Sequence, residues 1–395
     1  MRMSISTLHS IHLSHHHYLR NGYKHFLGLA LHSYAMGMVG IFIPIYLYTL
    51  GYSIPQIAML EAILFLIKAS MHPVSIMIHN SIGSFRLIGV ANLSMIAYLF
   101  GLYQLDDTPA LALPVFMLIG VSGSLYWIGF HNSLIEAIDK KTETKSLTNL
   151  ELLRKVAVAL GPLTGGVLAT WHSFTVTILF AIGVMVVSTL LVITIPRKNK
   201  RRKLKFSELT LLHMRRDYLS NAAVCISSMF SLLIWPFIVF LLFENYAEVG
   251  VIFSLPLLFG GVLSHYLARK QDKNKAISRD VVAGTSYIIS FVDICRIFAR
   301  SVSMVGILNI IAESLAIIKT PAYVSHYYDR ARILGYEKYI LSMEVVGDLS
   351  KAGVWVLILC MSAIVGLGDD SSLYVVALLS AGTAPLVPLF FKNKA

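Results

Sequence analysis

Charge is what this sequence is short of. Lys, Arg, Asp and Glu make up 14% of its 395 residues, against about 25% in an average soluble domain. With 56% hydrophobic residues, the charges are too sparse for the two or three soluble domains that this length would allow. Cysteine is scarce as well. Cys225, Cys295 and Cys360 all lie inside apolar runs, so they form no disulfide framework and read as small buried hydrophobes. No Gly-x-x-x-x-Gly-Lys-Ser/Thr run occurs, which argues against ATP-driven transport. The outer loops are only a few residues long, leaving no room for the catalytic loop of a membrane-embedded enzyme such as a lipid-linked glycosyltransferase. The chain is therefore expected not to be an enzyme, and no cofactor is expected. His9, His12, His15, His16, His17 and His25 crowd the N-terminus. Their spacing is loose and no Cys or acidic ligand accompanies them, so they read as a disordered or interfacial tail, with no metal site expected.

What is present is a series of twelve apolar segments: 26–50, 54–78, 87–104, 110–133, 151–171, 174–196, 218–242, 246–267, 281–299, 302–325, 339–366 and 371–391. Many reach the roughly 18–20 residues that cross a hydrocarbon core, and there only a helix satisfies its own backbone polar groups. The short gaps Gly51–Ser53 and Trp171–Ser173 force antiparallel hairpins. The longest basic run, Pro196–Asp217, holds nine Lys and Arg. A net charge of +12 would suggest nucleic acid if it lay on a soluble face. Here it lies between apolar blocks, so no nucleic-acid partner is expected. Placing the N-terminus inside puts 26 of the 33 Lys and Arg in inner loops, the positive-inside pattern. An integral protein of the plasma (inner) membrane with both termini cytoplasmic is expected. The first apolar block is too long for a signal h-region, so no cleavable signal peptide is expected.

The chain also repeats itself. A shift of 192 residues lays Phe42-Ile43-Pro44 on Ile234-Trp235-Pro236 and Ser53–Ala58 on Asn245–Gly250; a shift of 193 lays Glu136 on Asp329 and Glu151 on Glu344. Both copies start inside, which predicts parallel repeats about an axis along the membrane normal. The expected organisation is a His-rich tail (1–25), a six-helix bundle (26–196), a basic linker (197–217) and a second six-helix bundle (218–395). Phe206–Met214 within the linker fits an amphipathic helix on the inner surface.

Local motifs accompany this layout. Ile41-Phe42-Ile43-Pro44-Ile45-Tyr46-Leu47 is followed by Gly51-Tyr52-Ser53. Tyr126-Trp127-Ile128-Gly129-Phe130-His131 is followed by a charged loop and Gly161-Pro162-Leu163-Thr164-Gly165-Gly166. Together with six plus six helices and a basic central loop, they resemble the major facilitator superfamily. The resemblance implies an all-α carrier whose helices one, four, seven and ten line a central cavity. That carries over to His32, Tyr34, Trp127, His131, Trp235, Glu313 and Lys319 as lining residues. Gly161, Pro162, Gly165 and Gly166 resemble the fifth-helix motif of proton-coupled antiporters, and physically they bend a helix and let a neighbour approach. Ala157 stands where that motif has an earlier glycine, and the fourth helix around Gly120–Gly123 carries no Arg. The family's charged loop between helices two and three keeps Gly83 and Arg86 here but has Asn80 for its Asp, whereas Asp272 retains the acid at the 192 offset. Asn80, Arg86 and Asp272 are thereby candidates for conformational gating.

An ionisable side chain within a spanning helix costs about 2.5–3.5 kcal/mol on insertion scales, so it faces a cavity or a partner. Glu61, Lys68 and His72 share one helix face; Lys68 either meets an anionic group, forms an ion pair or snorkels. Asp293 and Arg296 are three apart and neutralise each other. Glu313 lies roughly 17 Å in from Val302, near the middle of the core, and is the first candidate for proton coupling. Trp127 and His131 are four apart on one face and read either as ligand contacts or as interface anchor and capping histidine. Glu151 with Arg154, and Glu344 with Asp348 and Lys351, are expected to open helices five and eleven, as helix-end charges or as salt bridges between the two halves. The function expected is secondary transport of a small solute by alternating access, with protons as a candidate coupling ion, by a monomer in the lipid bilayer. The alternative is a non-transporting scaffold, or a lipid scramblase or lipid transporter of the same fold. Sugars, organic cations and amphipathic drugs suit the expected cavity.

Overall fold

The computed structural model describes residues 23–138, 144–195, 214–271, 275–365 and 369–392, side chains at 134–155, 259–278, 363–370 and 392 excepted. Most of the His-rich tail, the linker with its expected surface helix, and Asp272 lie outside the described residues, as do the side chains of Glu151 and Arg154.

All regular structure among the described residues is helical. Twelve helices follow in order: α1 Tyr23–Thr49, α2 Ile54–Ile82, α3 Ser84–Tyr103, α4 Ala112–Ile138, α5 Thr144–Trp171, α6 Phe174–Ile193, α7 Arg215–Phe243, α8 Tyr246–Gln271, α9 Lys275–Arg296, α10 Val302–Leu334, α11 Tyr336–Val365 and α12 Asp369–Thr383. Among the described residues, nine spans are long and apolar enough to cross a membrane. A 3-10 stretch, Ala384–Lys392, continues α12. The chain is an all-α, multi-pass membrane protein.

Helix ends follow local chemistry. Ser53 caps α2 in a box with Gln56, and Pro55 sits in the first turn, where its missing N–H is no loss. Asn245 starts α8 the same way, its Oδ1 accepting from the backbone N–H of Ala247 at 2.9 Å and of Glu248 at 3.3 Å. Proline perturbs both α1 and α7. A proline ring clashes with the carbonyl four residues back, and the winding changes just there: a 3-10 turn at Gly40–Phe42 before Pro44, a π turn at Phe230–Ile234 before Pro236. Left-handed residues follow, Gly51 at φ +88° after α1 and Glu244 at φ +51° closing α7.

Two expected helix starts move. α5 begins at Thr144 and α11 at Tyr336, so Glu151 and Glu344 lie about two turns inside their helices. Dipole stabilisation fades within the first turn, which removes the helix-end reading of both acids.

The most extensive helix packings are α5 on α8 and α2 on α11, which join the first six helices to the last six; α3 on α4, α2 on α4 and α3 on α6 follow within the first six, and α9 on α10 and α8 on α10 within the last six. Toward the α1–α2 and α7–α8 turns, here the distal face, the sets are sealed by rings: Tyr48 lies 5.7 Å from Phe237, Phe42 5.7 Å from Tyr246 and Phe174 5.9 Å from Tyr246, centroid to centroid. Toward the face where the chain enters α1 and leaves α12, a buried Asp217–Arg330 pair at 2.9 Å ties α7 to α10.

Candidate substrate cavity and its charged seam

Lys68 and His72 sit one turn apart on α2, and both point across to α11. Lys68 Nζ meets Asp348 Oδ1 at 2.9 Å, and His72 Nε2 meets Asp348 Oδ2 at 2.7 Å. Lys351 reaches the same Asp348 Oδ1 at 3.0 Å. Behind His72, its Nδ1 lies 3.0 Å from Ser124 Oγ, which lies 2.8 Å from Ser75 Oγ. Gly123 makes room for this: its missing side chain leaves space for the methylene stem of Lys68, which a Cβ would approach to 3.2 Å. Of the three readings open for Lys68, the structure takes the ion pair. Glu61 does not join. It is buried elsewhere in the first six helices, within electrostatic reach of Tyr98, so the shared face of α2 divides between two environments.

A second bridge lies closer to the ends of α4 and α11 on the face where the chain enters α1. His131 Nε2 meets Glu344 Oε1 at 3.2 Å, and His131 Nδ1 meets the Tyr328 hydroxyl at 3.0 Å. Next to it is a cavity of about 350 Å³ between α4, α7, α10 and α11, lined by Trp127, His131, Ser228, Lys319, Tyr323, Tyr327, Tyr328 and Glu344 among others. His72, Glu344 and Asp348 also converge closely enough to resemble metal ligands. Two ammonium groups already lie on Asp348, so a cation would meet positive charge there, and the group does not fit a metal.

Of the expected lining residues, Trp127, His131 and Lys319 border this cavity and four do not. His32 turns into the first six helices, stacked on Tyr126 at 3.7 Å and held 2.8 Å from Asn92 Oδ1. Tyr34 packs against the apolar core. Trp235 is buried beneath Arg296, whose guanidinium lies 5.1 Å above its ring. Glu313 is buried on α10 outside the cavity wall, with no hydrogen bond or ion pair to it among the described residues. Asp293 and Arg296 pair at 3.0 Å as expected, but as part of a larger polar knot: Arg296 also reaches Asn309 at 2.9 Å, and Ser380 donates to Asp293 at 2.7 Å.

The glycines of α5 divide their work. Gly161 and Gly165 face Gly37 and Met38 of α1, while Gly166 faces the Tyr246 carbonyl of α8. Pro162 stays inside the helix, and its carbonyl oxygen abuts Gly250 of α8. Between α2 and α3, Gly83 turns the chain at φ +83°. Asn80 is half-buried, and Arg86 is exposed without an ion pair among the described residues. The tyrosines at 323, 327 and 328 went unnoticed in the sequence. Their signal was there, since Lys319, Tyr323 and Tyr327 recur every four residues along one face.

Comparison with known proteins agrees with this architecture. The family model described as Major Facilitator Superfamily matches residues 26–335. No curated protein matches the chain by sequence. Among solved structures, the crystal structure of the human organic anion transporter MFSD10 (TETRAN) superposes with a TM-score of 0.66 at 12% identity, over 95% of this chain and 99% of that one. At that identity the likeness is one of fold.

Proposed function

The chain belongs to the major facilitator superfamily, and on that premise we propose a secondary carrier that moves a small solute by alternating access. Membership places it among membrane transporters and not among enzymes. In this reading α1–α6 and α7–α12 are parallel repeats that rock about the cavity. Matched details support the repeat: the caps Ser53 and Asn245, the prolines Pro44 and Pro236 with their perturbed turns, and the left-handed turns at Gly51 and Glu244 fall at offsets of 192 or 193.

The observation that carries the mechanism is the Asp348 cluster, where Lys68 and His72 of the first set share one carboxylate of the second beside the cavity. A buried ion pair roughly breaks even against apolar packing, so a static scaffold gains little from one. A contact that must part and be rehydrated gains more. Lys68, Asp348, Lys351 and the His131–Glu344 pair are therefore assigned to gating. Glu313, buried at mid-helix, is assigned to proton coupling, with Glu61 as the other buried glutamate. Flux into proteoliposomes with and without a pH gradient tests the reading. Flux with no solute, alongside lipid flipping, would sink the carrier in favour of a lipid transporter; gradient-driven flux fully retained in Glu313→Gln would remove the coupling role.

A further inference from the structure

We infer that the cavity takes a small organic anion with an aromatic or unsaturated body, its charge held by Lys319. Lys319 is only 8% exposed and lines the cavity. It makes no ion pair or hydrogen bond among the described residues, whereas the other two lysines near this site, Lys68 and Lys351, both lie on Asp348. An ammonium taken out of water without a partner is strongly disfavoured, and an anionic ligand would supply the missing partner. A second group on the same face is also unsatisfied. Tyr327, two turns further along α10, has a buried hydroxyl with no hydrogen-bond partner among the described residues. The stripe therefore carries an ammonium and a phenol about 12 Å apart along the helix.

The opposing charge in the wall is already engaged. Glu344 is the carboxylate of the lining, and His131 lies on it at 3.2 Å while its other ring nitrogen meets Tyr328. An organic cation would thus face an unpaired lysine and would have to displace His131 to reach an acid. A sugar would leave the ammonium unneutralised. Trp127, 38% exposed, offers a ring face on the α4 side. A volume of about 350 Å³ lies at the low end of the roughly 300–1,000 Å³ typical of ligand pockets, which suits a one- or two-ring carboxylate or sulfonate. The inference rests on the carrier reading only in naming this anion as cargo; the binding site stands apart from it.

The test is calorimetric titration of the full-length protein in nanodiscs with cinnamate, its neutral amide and cinnamylamine. Cinnamate should bind saturably and about tenfold or more tighter than the amide, the scale of one charge-assisted hydrogen bond. Lys319→Gln should abolish that preference without weakening the amide, and Lys319→Arg should keep it. Because Lys319→Gln removes a charge that makes no ion pair or hydrogen bond among the described residues, with Asp293 and Glu313 acting on it only at longer range, its ligand-free thermal unfolding should stay within a few degrees of that of the parent, which separates loss of binding from loss of fold. The proposal is overturned if the amide binds as tightly as cinnamate, if the amine binds best, if none of the three binds, or if Lys319→Gln keeps the preference. Saturable cinnamate binding without flux into proteoliposomes supports the anion site while removing the carrier reading, so the two fail separately.

Discussion

Along α5 and α8 the two six-helix sets touch through glycine. Gly166 packs on the Tyr246 carbonyl, and a Cβ on Gly250 would lie 2.5 Å from the Pro162 carbonyl oxygen. Along α2 and α11 they touch through charge, with Lys68, His72 and Lys351 gathered on Asp348. Inside a bilayer, lipid competes evenly for apolar side chains, so close backbone approach and interhelical hydrogen bonds hold helices together. The first seam uses the former and the second the latter. They respond differently to water. Parted glycine surfaces gain nothing from hydration, while parted charges recover much of what they lose. In the proposed alternating-access cycle, the charged seam is the one that opens and the glycine seam the one that stays packed.

The sharpest way to break this contrast is Asp348→Asn. It leaves buried Lys68 and half-buried Lys351 around a neutral amide, and removing one partner of a buried pair costs about 3–5 kcal/mol. Thermal unfolding of the purified variant should show a larger loss than any single change at the glycine seam, and a loss within error of the parent would mean the seam is already hydrated. Gly250→Ala tests the other seam. Its methyl has backbone on the far side and not a flexible side-chain tip, so overpacking should cost about 1–3 kcal/mol, with the α5–α8 crossing shifted but the charged seam intact. An unchanged midpoint would show that α8 yields freely.

Glu344→Gln is a smaller perturbation. It weakens a charge-assisted bond to His131 worth about 1.5–3 kcal/mol when fully formed, and less at the partial exposure of Glu344. Its main effect should be on gating: a cysteine placed at Ser228 on the cavity wall should react faster with a water-soluble maleimide. Equal rates would remove Glu344 from the gate. Least of all, Glu244→Gly relieves a left-handed turn held by a non-glycine residue at φ +51°, and should stabilise by about 1 kcal/mol, raising the unfolding midpoint slightly without touching either seam.

Much of the fold was legible in the chain. Every described helix falls on an expected apolar segment, because length and hydropathy alone decide which stretches can live in hydrocarbon. Edges were less so. α5 starts at Thr144 and not at 151, since a helix running out of the membrane needs no apolar residues to continue. The candidate site was legible in part. Trp127, His131 and Lys319 border the cavity, but His32 and Trp235 are turned into packing. Placement on helix one or seven does not say which way a residue on that helix is rotated.

The sequence by itself determined where the chain crosses the membrane, which ionisable residues are stranded within it, and that the pattern recurs about 192 residues on. These are properties of single segments and of their order. Only the tertiary structure decided partners. Lys68 finds Asp348, 280 residues away, and Lys319 lines a cavity with no ion pair or hydrogen bond among the described residues. Both outcomes depend on the rotation and crossing of packed helices, and those are set by many side chains at once across two bundles, not by the period of any one.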